Sequence, residues 1–115
     1  LKVHVAGPYT NPDPAQNTRN AIAMGDALFC AGFTPFIPHL THFWHLQIDH
    51  PYEEWLEYDN QWIPCCDAVL RMPGESSGAD KEVALALSLG IPVFTSLLML
   101  EGYRKSMEIM QEANE

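Results

Sequence analysis

Basic residues are scarce in this chain: six Lys and Arg stand against fifteen Asp and Glu, a formal charge of −9 over 115 residues. A basic stripe that could follow the phosphates of a nucleic acid polymer therefore has nothing to be built from. A single nucleotide is still compatible, because backbone N–H groups can hold one phosphate without a basic surface. Cysteine is scarce too. Cys30, Cys65 and Cys66 are an odd number with an adjacent pair, which does not make a disulfide framework. With no secretory leader in view, a reducing cytoplasmic setting is expected. The adjacent pair could form a redox or metal site, against the plainer reading of buried thiols at a helix–strand junction. No apolar run approaches the ~20 residues of a membrane span, and no repeat or low-complexity tract is visible. What is present, 47% hydrophobic and 18% charged residues, reads as one globular domain over residues 1–115. The chain opens inside a strand, so a natural N-terminus trimmed away is expected.

Short β-like runs alternate with helical segments, the α/β signature. Lys2–Ala6 reads as a strand ending in the turn Gly7-Pro8-Tyr9-Thr10. Asp13-Pro14-Ala15-Gln16 is a helix start, with Asp at the N-cap, Pro at the first helical position and Gln three residues after the cap. That helix should run to about Ala31 and stop at Gly32. Phe33–Ile37 is a second strand, closed by Pro38, and an irregular segment rich in His and aromatics follows to His50. A helix then ends near Pro64-Cys65, Asp67–Met72 is a third strand, and Pro73–Gly78 is a loop. A further helix runs to Gly90, Ile91–Thr95 is a fourth strand, and Leu97 to Ala113 is a closing amphipathic helix. Strands joined through helices pair in parallel with right-handed crossovers. The expectation is a small Rossmann-like or flavodoxin-like parallel sheet of about four to five strands, with helices on both faces. In such sheets a ligand binds beyond the carboxyl ends of the strands, where strand order reverses.

Two carboxylates interrupt apolar helix faces. At about 100° per residue, Tyr52, Trp55, Leu56, Trp62 and Ile63 share a face with Asp59 at its middle. Ala79, Val83, Leu85, Ala86 and Leu89 form another, with Glu82 among them. An ionised group buried without a partner costs several kcal/mol, so such a residue is either paired or used. Glu82 lies one turn beyond Gly78, and Asp59 comes from the preceding helix, so the two can converge. That is the arrangement of retaining sugar-transfer chemistry, one nucleophile and one acid/base. The alternative is a structural pair.

Pro73-Gly74-Glu75-Ser76-Ser77-Gly78 precedes a helix N-terminus, where free N–H groups and the macrodipole favour an anion. It is neither a P-loop nor GxGxxG, and the plain alternative is a surface turn with an N-cap serine. His39, His42 and His45 are spaced like a metal cluster, but the flanking Pro38 and Phe43-Trp44 read better as a lid, and no metal or organic cofactor is expected. Tyr9, Trp44 and Tyr58 could stack on a planar base or simply pack in the core. Asp67 is read as orienting nearby backbone or supporting the site from behind.

The segments VHVAGPYT (3–10), PFIPHL (35–40), YEEWLEYD (52–59) and CDAVLRMPGESSGADKEVALALSLGIPVF (66–94), in that order, resemble the nucleoside 2-deoxyribosyltransferase-like superfamily, in its short bacterial and phage branch. The resemblance implies that Glu82 attacks the anomeric carbon and Asp59 assists proton transfer. It further implies that Ser76, with Ser77 and Gly78 beside it, holds the 5′-hydroxyl or phosphate, while Gly7, Pro8 and Tyr9 lie against the nucleoside. His4, where some members carry tyrosine in the first strand, counts among the expected pocket residues with Trp44 and Asp67. The stretch Ala79-Asp80-Lys81-Glu82 also departs from the more glycine-rich sequence of the nucleotide hydrolases of the superfamily. Members are often oligomers that complete the site with a neighbour's residue, so a homo-oligomer is expected.

The leading expectation is cleavage or exchange of the N-glycosidic bond of a (deoxy)nucleoside or nucleoside monophosphate through a carboxylate nucleophile. One alternative is a phosphoribohydrolase with a Pro-Gly-rich loop followed by Gly-Thr-x-x-Glu, whose Thr is Ala79 here. The other is a non-catalytic nucleotide-binding or sensor module. The expected partner is a small molecule, neither a nucleic acid nor a membrane.

Overall fold

Strand alternation in β1 (Lys2–Ala6) sends Val3 and Val5 to one face of the sheet and His4 and Ala6 to the other. In the computed structural model, which describes all residues from Leu1 to Glu115, β1 pairs with β2 (Thr34–Phe36) on one side and β3 (Ala68–Arg71) on the other, and β4 (Val93–Phe94) lies outside β3. The order is β2-β1-β3-β4, and every pair is parallel. This is the expected Rossmann-like α/β sheet, with four strands.

α1 (Pro14–Cys30) and α5 (Leu97–Ala113) cover the face of Val3 and Val5, where Leu28, Phe33, Leu70 and Leu100 complete the main core. α4 (Ser77–Ser88) and a single 3-10 turn (Ile63–Cys65) cover the other face over Ala6 and Val69, through Ile63, Ala79 and Ala86. The expected start of α1 is present: the Asp13 side chain accepts from Ala15 N, with Pro14 at the first position. α5 has the boundaries read from its periodicity.

Three expectations change. The segment Pro38 to His50 is not irregular: a 3-10 turn (Pro38–Leu40) leads into α2 (Thr41–Gln47). No residue of α2 is buried, so it carries no apolar stripe for periodicity to detect. α3 (Tyr52–Asn60) stops before Pro64, whose ring would clash with the carbonyl of Asn60 in a continuous helix. The second and fourth strands are shorter than expected, and each is an edge strand carrying or following a proline, Pro35 and Pro92.

Candidate functional site

The strand order reverses between β1 and β3. From their carboxyl ends leave the turn at Gly7-Pro8-Tyr9 and the loop Pro73–Ser76, and between these loops opens a cleft of about 350 Å³. Its side walls are α3 and the first turns of α4. A cavity of this size is of the order that holds a small-molecule ligand.

Glu82 is placed by α4. Ser76 caps that helix, its Oγ accepting from Ala79 N at 3.0 Å. Gly78, Ala79, Glu82 and Ala86 then follow at helical spacing as the buried side. That side faces the sheet surface to which alternation sends His4, so His4 Nε2 donates to Glu82 Oε2 across 78 residues of sequence. His4 is fully buried, Glu82 is 7% exposed, and His4 Nδ1 has no partner. Asp59, 8% exposed, enters from α3 with its Oδ1 unpaired. Burial, and then the negative charge of Glu82, push its carboxyl up to about 8. At neutral pH Asp59 therefore stands in the cleft as a carboxylic acid, beside the Glu82 side chain that is paired with His4. Tyr52 lines the same cleft, and its hydroxyl is raised by burial and then by the charges of Glu82 and Asp59. A Cβ on Gly78 would lie 2.1 Å from Tyr52 Oη, so the hydroxyl end of Tyr52 rests on this glycine and would have to shift for any side chain there.

The opposite wall is tied by imidazoles. His39 Nε2 donates to the Pro8 carbonyl at 2.9 Å, and burial lowers the pKa of the ring, leaving Nδ1 as an unpartnered acceptor. Tyr9 Oη and His42 Nδ1 are hydrogen-bonded at 2.7 Å, and Trp55 Nε1 donates to His45 Nδ1 at 2.9 Å. Asn17 Nδ2 holds the first turn through the carbonyls of Tyr9 and Asn11. The second loop is held by Arg71, which donates to the carbonyls of Met72 and Gly74 and to Asp80 Oδ1. Gly74 makes this possible with φ of +111°.

Of the residues singled out from sequence, Asp59, Glu82, Gly7, Pro8, Tyr9, Ser76, Ser77 and Gly78 all line this one cleft. The rest do not. His4 lies behind Glu82, not at the surface of the pocket. Trp44 packs edge-on against Trp55, Tyr58 and His50, in a separate shallow groove together with Tyr58. Asp67 sits at the amino end of β3, remote from the cleft, where its Oδ2 accepts from Lys2 N. His39, His42 and His45 each have their own partner, and no three His, Cys, Asp or Glu are grouped to hold a metal. The apolar faces were misread in one respect: Tyr52 and Trp62 are exposed, as is Leu89. The stripe Tyr52, Trp55, Leu56 and Asp59 is a cleft wall rather than a core face. Sequence reasoning did not assign Tyr52, Trp55 or Glu75 to the site, although the spacing 52, 55, 56, 59 is the signal that places the first two beside Asp59.

A family model described as a domain of unknown function, DUF4406, matches residues 1–95, which include every residue of the cleft. A search of curated proteins finds no match.

Proposed function

We propose that this chain, which belongs to the DUF4406 family, binds a nucleoside or nucleotide in the cleft between β1 and β3. One observation carries the reading: the Gly7-Pro8-Tyr9 and Ser76-Ser77-Gly78 turns, read separately from sequence as ligand contacts, line a single cavity at the reversal of strand order. Trp55 and Tyr9 offer the aromatic surface a base needs, and the hydroxyls of Ser76 and Ser77 offer hydrogen bonds to a sugar.

A second reading, cleavage or exchange of the N-glycosidic bond, is favoured by two buried carboxyl groups facing one cleft, with Asp59 raised by burial and by Glu82. The Glu82 carboxylate would attack C1′ as the C1′–N bond breaks, and Asp59, protonated at neutral pH, would give its proton to the departing base. Water or a second base would then attack C1′, release Glu82 and return the proton to Asp59. His4 would act as a positioning residue that fixes the Glu82 carboxylate. The chemistry needs only the chain's own groups and a small-molecule partner, and a homo-oligomer belongs to the same proposal.

Thermal shift with nucleosides and nucleotides, followed by chromatography of the best binder after long incubation, separates the readings. Stabilisation without products leaves the binding module. Free base with sugar, or sugar moved between bases, establishes the enzyme, and Glu82→Ala is then expected to abolish turnover while the fold is retained. Turnover unchanged in that variant removes Glu82 from the chemistry. Free base with ribose 5-phosphate would instead select the phosphoribohydrolase. No stabilisation by any compound overturns the nucleotide reading as a whole.

A further inference from the structure

No lysine or arginine lines the cleft. Three carboxyl groups do, Asp59, Glu75 and Glu82, in a protein already carrying a net charge of −9. Sites for a phosphate monoester commonly place Arg or Lys against it, or the free N–H groups of a helix start. The cation beside the second loop, Arg71, is already engaged by three oxygen acceptors of the loop and of Asp80. The start of α4 is no better suited to an anion. Ser76 Oγ takes the N–H of Ala79, the Ser76 carbonyl takes that of Asp80, and the Asp80 carboxylate occupies the first turn. Glu75, exposed at the lip of the cleft and free of any ion pair, sets a further negative charge before the remaining N–H groups. The unpaired buried nitrogen of a lining residue, His39 Nδ1, asks for a hydroxyl or amino hydrogen rather than for a phosphate oxygen.

Resting on the reading that a nucleoside or nucleotide occupies this cleft, we infer that its ligand is the unphosphorylated nucleoside and that Glu75 is a specificity residue rejecting the 5′-monophosphate. A monophosphate carries between one and two negative charges near neutral pH. It would meet Glu75 and Glu82 with no cation to offset them. A neutral nucleoside brings only hydroxyls, which carboxylates and imidazole nitrogens accept.

The test is titration calorimetry of the whole chain with 2′-deoxy- and ribonucleosides and with the 5′-monophosphate of each, at low and at high salt. Each nucleoside that binds is expected to do so at least about tenfold more tightly than its monophosphate at low salt, with the gap narrowing as salt screens the charges. Glu75→Lys, a change at an exposed turn position, is expected to tighten monophosphate binding and leave the nucleoside nearly unaffected. Monophosphates binding as well as or better than nucleosides to the parent protein would overturn the inference and leave the nucleotide-site reading standing. A gap unmoved by Glu75→Lys would overturn the role of Glu75. Binding by neither class would overturn the site reading itself.

Discussion

Asp59 keeps its proton up to about pH 8 because burial and the charge of Glu82 both oppose ionisation. In the unfolded chain an aspartate titrates near about 3.9. Between these values the folded state holds a proton that the unfolded state has lost, so stability falls as pH rises through that window and levels off above it. Asp59→Asn removes the dependence. The variant is expected to match the parent near the lower limit and to exceed it by an amount of order 5 kcal/mol above the upper one, measured by urea unfolding across pH. A difference that does not change with pH would show that Asp59 is not protonated in the folded chain. At this scale the sequence was informative where a residue broke a pattern. A carboxylate within an apolar stripe is visible in one dimension, and both Asp59 and Glu82 stood out for that reason. The pairing of His4 with Glu82 was not visible, because it depends on which helix covers the second face of β1. Trp44, expected in the pocket, lies in a separate groove instead, because α2, which carries it, left no periodic trace from which its direction could be read.

Helix starts show the same mixture. The cap of α1 was legible because Asp13, Pro14 and Gln16 announce it together. The cap of α4 was legible as far as its residue type: a serine N-cap was one reading of the turn, the run of Ser76, Ser77 and Gly78 left its position open, and the structure places it at Ser76. Ser76 and Ser96 thus do the same structural task, each side-chain oxygen accepting from the backbone three residues on, but only Ser76 lines the cleft. Ser76→Ala and Ser96→Ala are each expected to cost about 1 kcal/mol of stability. Only the first should also weaken ligand binding, as calorimetry of the two variants would show. Equal loss of binding in both would mean that the effect runs through stability and not through contact. The short strands illustrate a further limit: an apolar run marks where a strand can form, while the hydrogen-bonded length is set by the partner that arrives beside it.

Across the whole molecule, the longest dimension, 50 Å against 27 and 23 Å, follows from α5. Its start is anchored by Leu100 in the core. At mid-length Arg104 donates to the Ala31 carbonyl at 2.7 Å and lies 4.2 Å from the centre of the Phe33 ring. Ala31 and Phe33 stand at the amino edge of the sheet, so the residues after Arg104 project past that edge, and Met107, Ile109 and Met110 are exposed. Leu100→Ala is expected to cost about 2–5 kcal/mol, and Ile109→Ala less than about 0.5 kcal/mol, by chemical denaturation in dilute solution. A large cost at Ile109 that grows with protein concentration would mean that a second copy packs on the projecting turns. The fold class was legible from the alternation of elements, but this overhang was not, because amphipathicity reports a face and not whether anything meets it.

The placement of that overhang has a practical side. Glu82 is the last residue in the chain to reach the cleft, and the helix that follows the final strand carries the C-terminus toward the opposite rim. An affinity tag or a sensor-chip tether joined beyond Glu115 would hang from the underside, with the mouth turned outward and unobstructed for screening compounds.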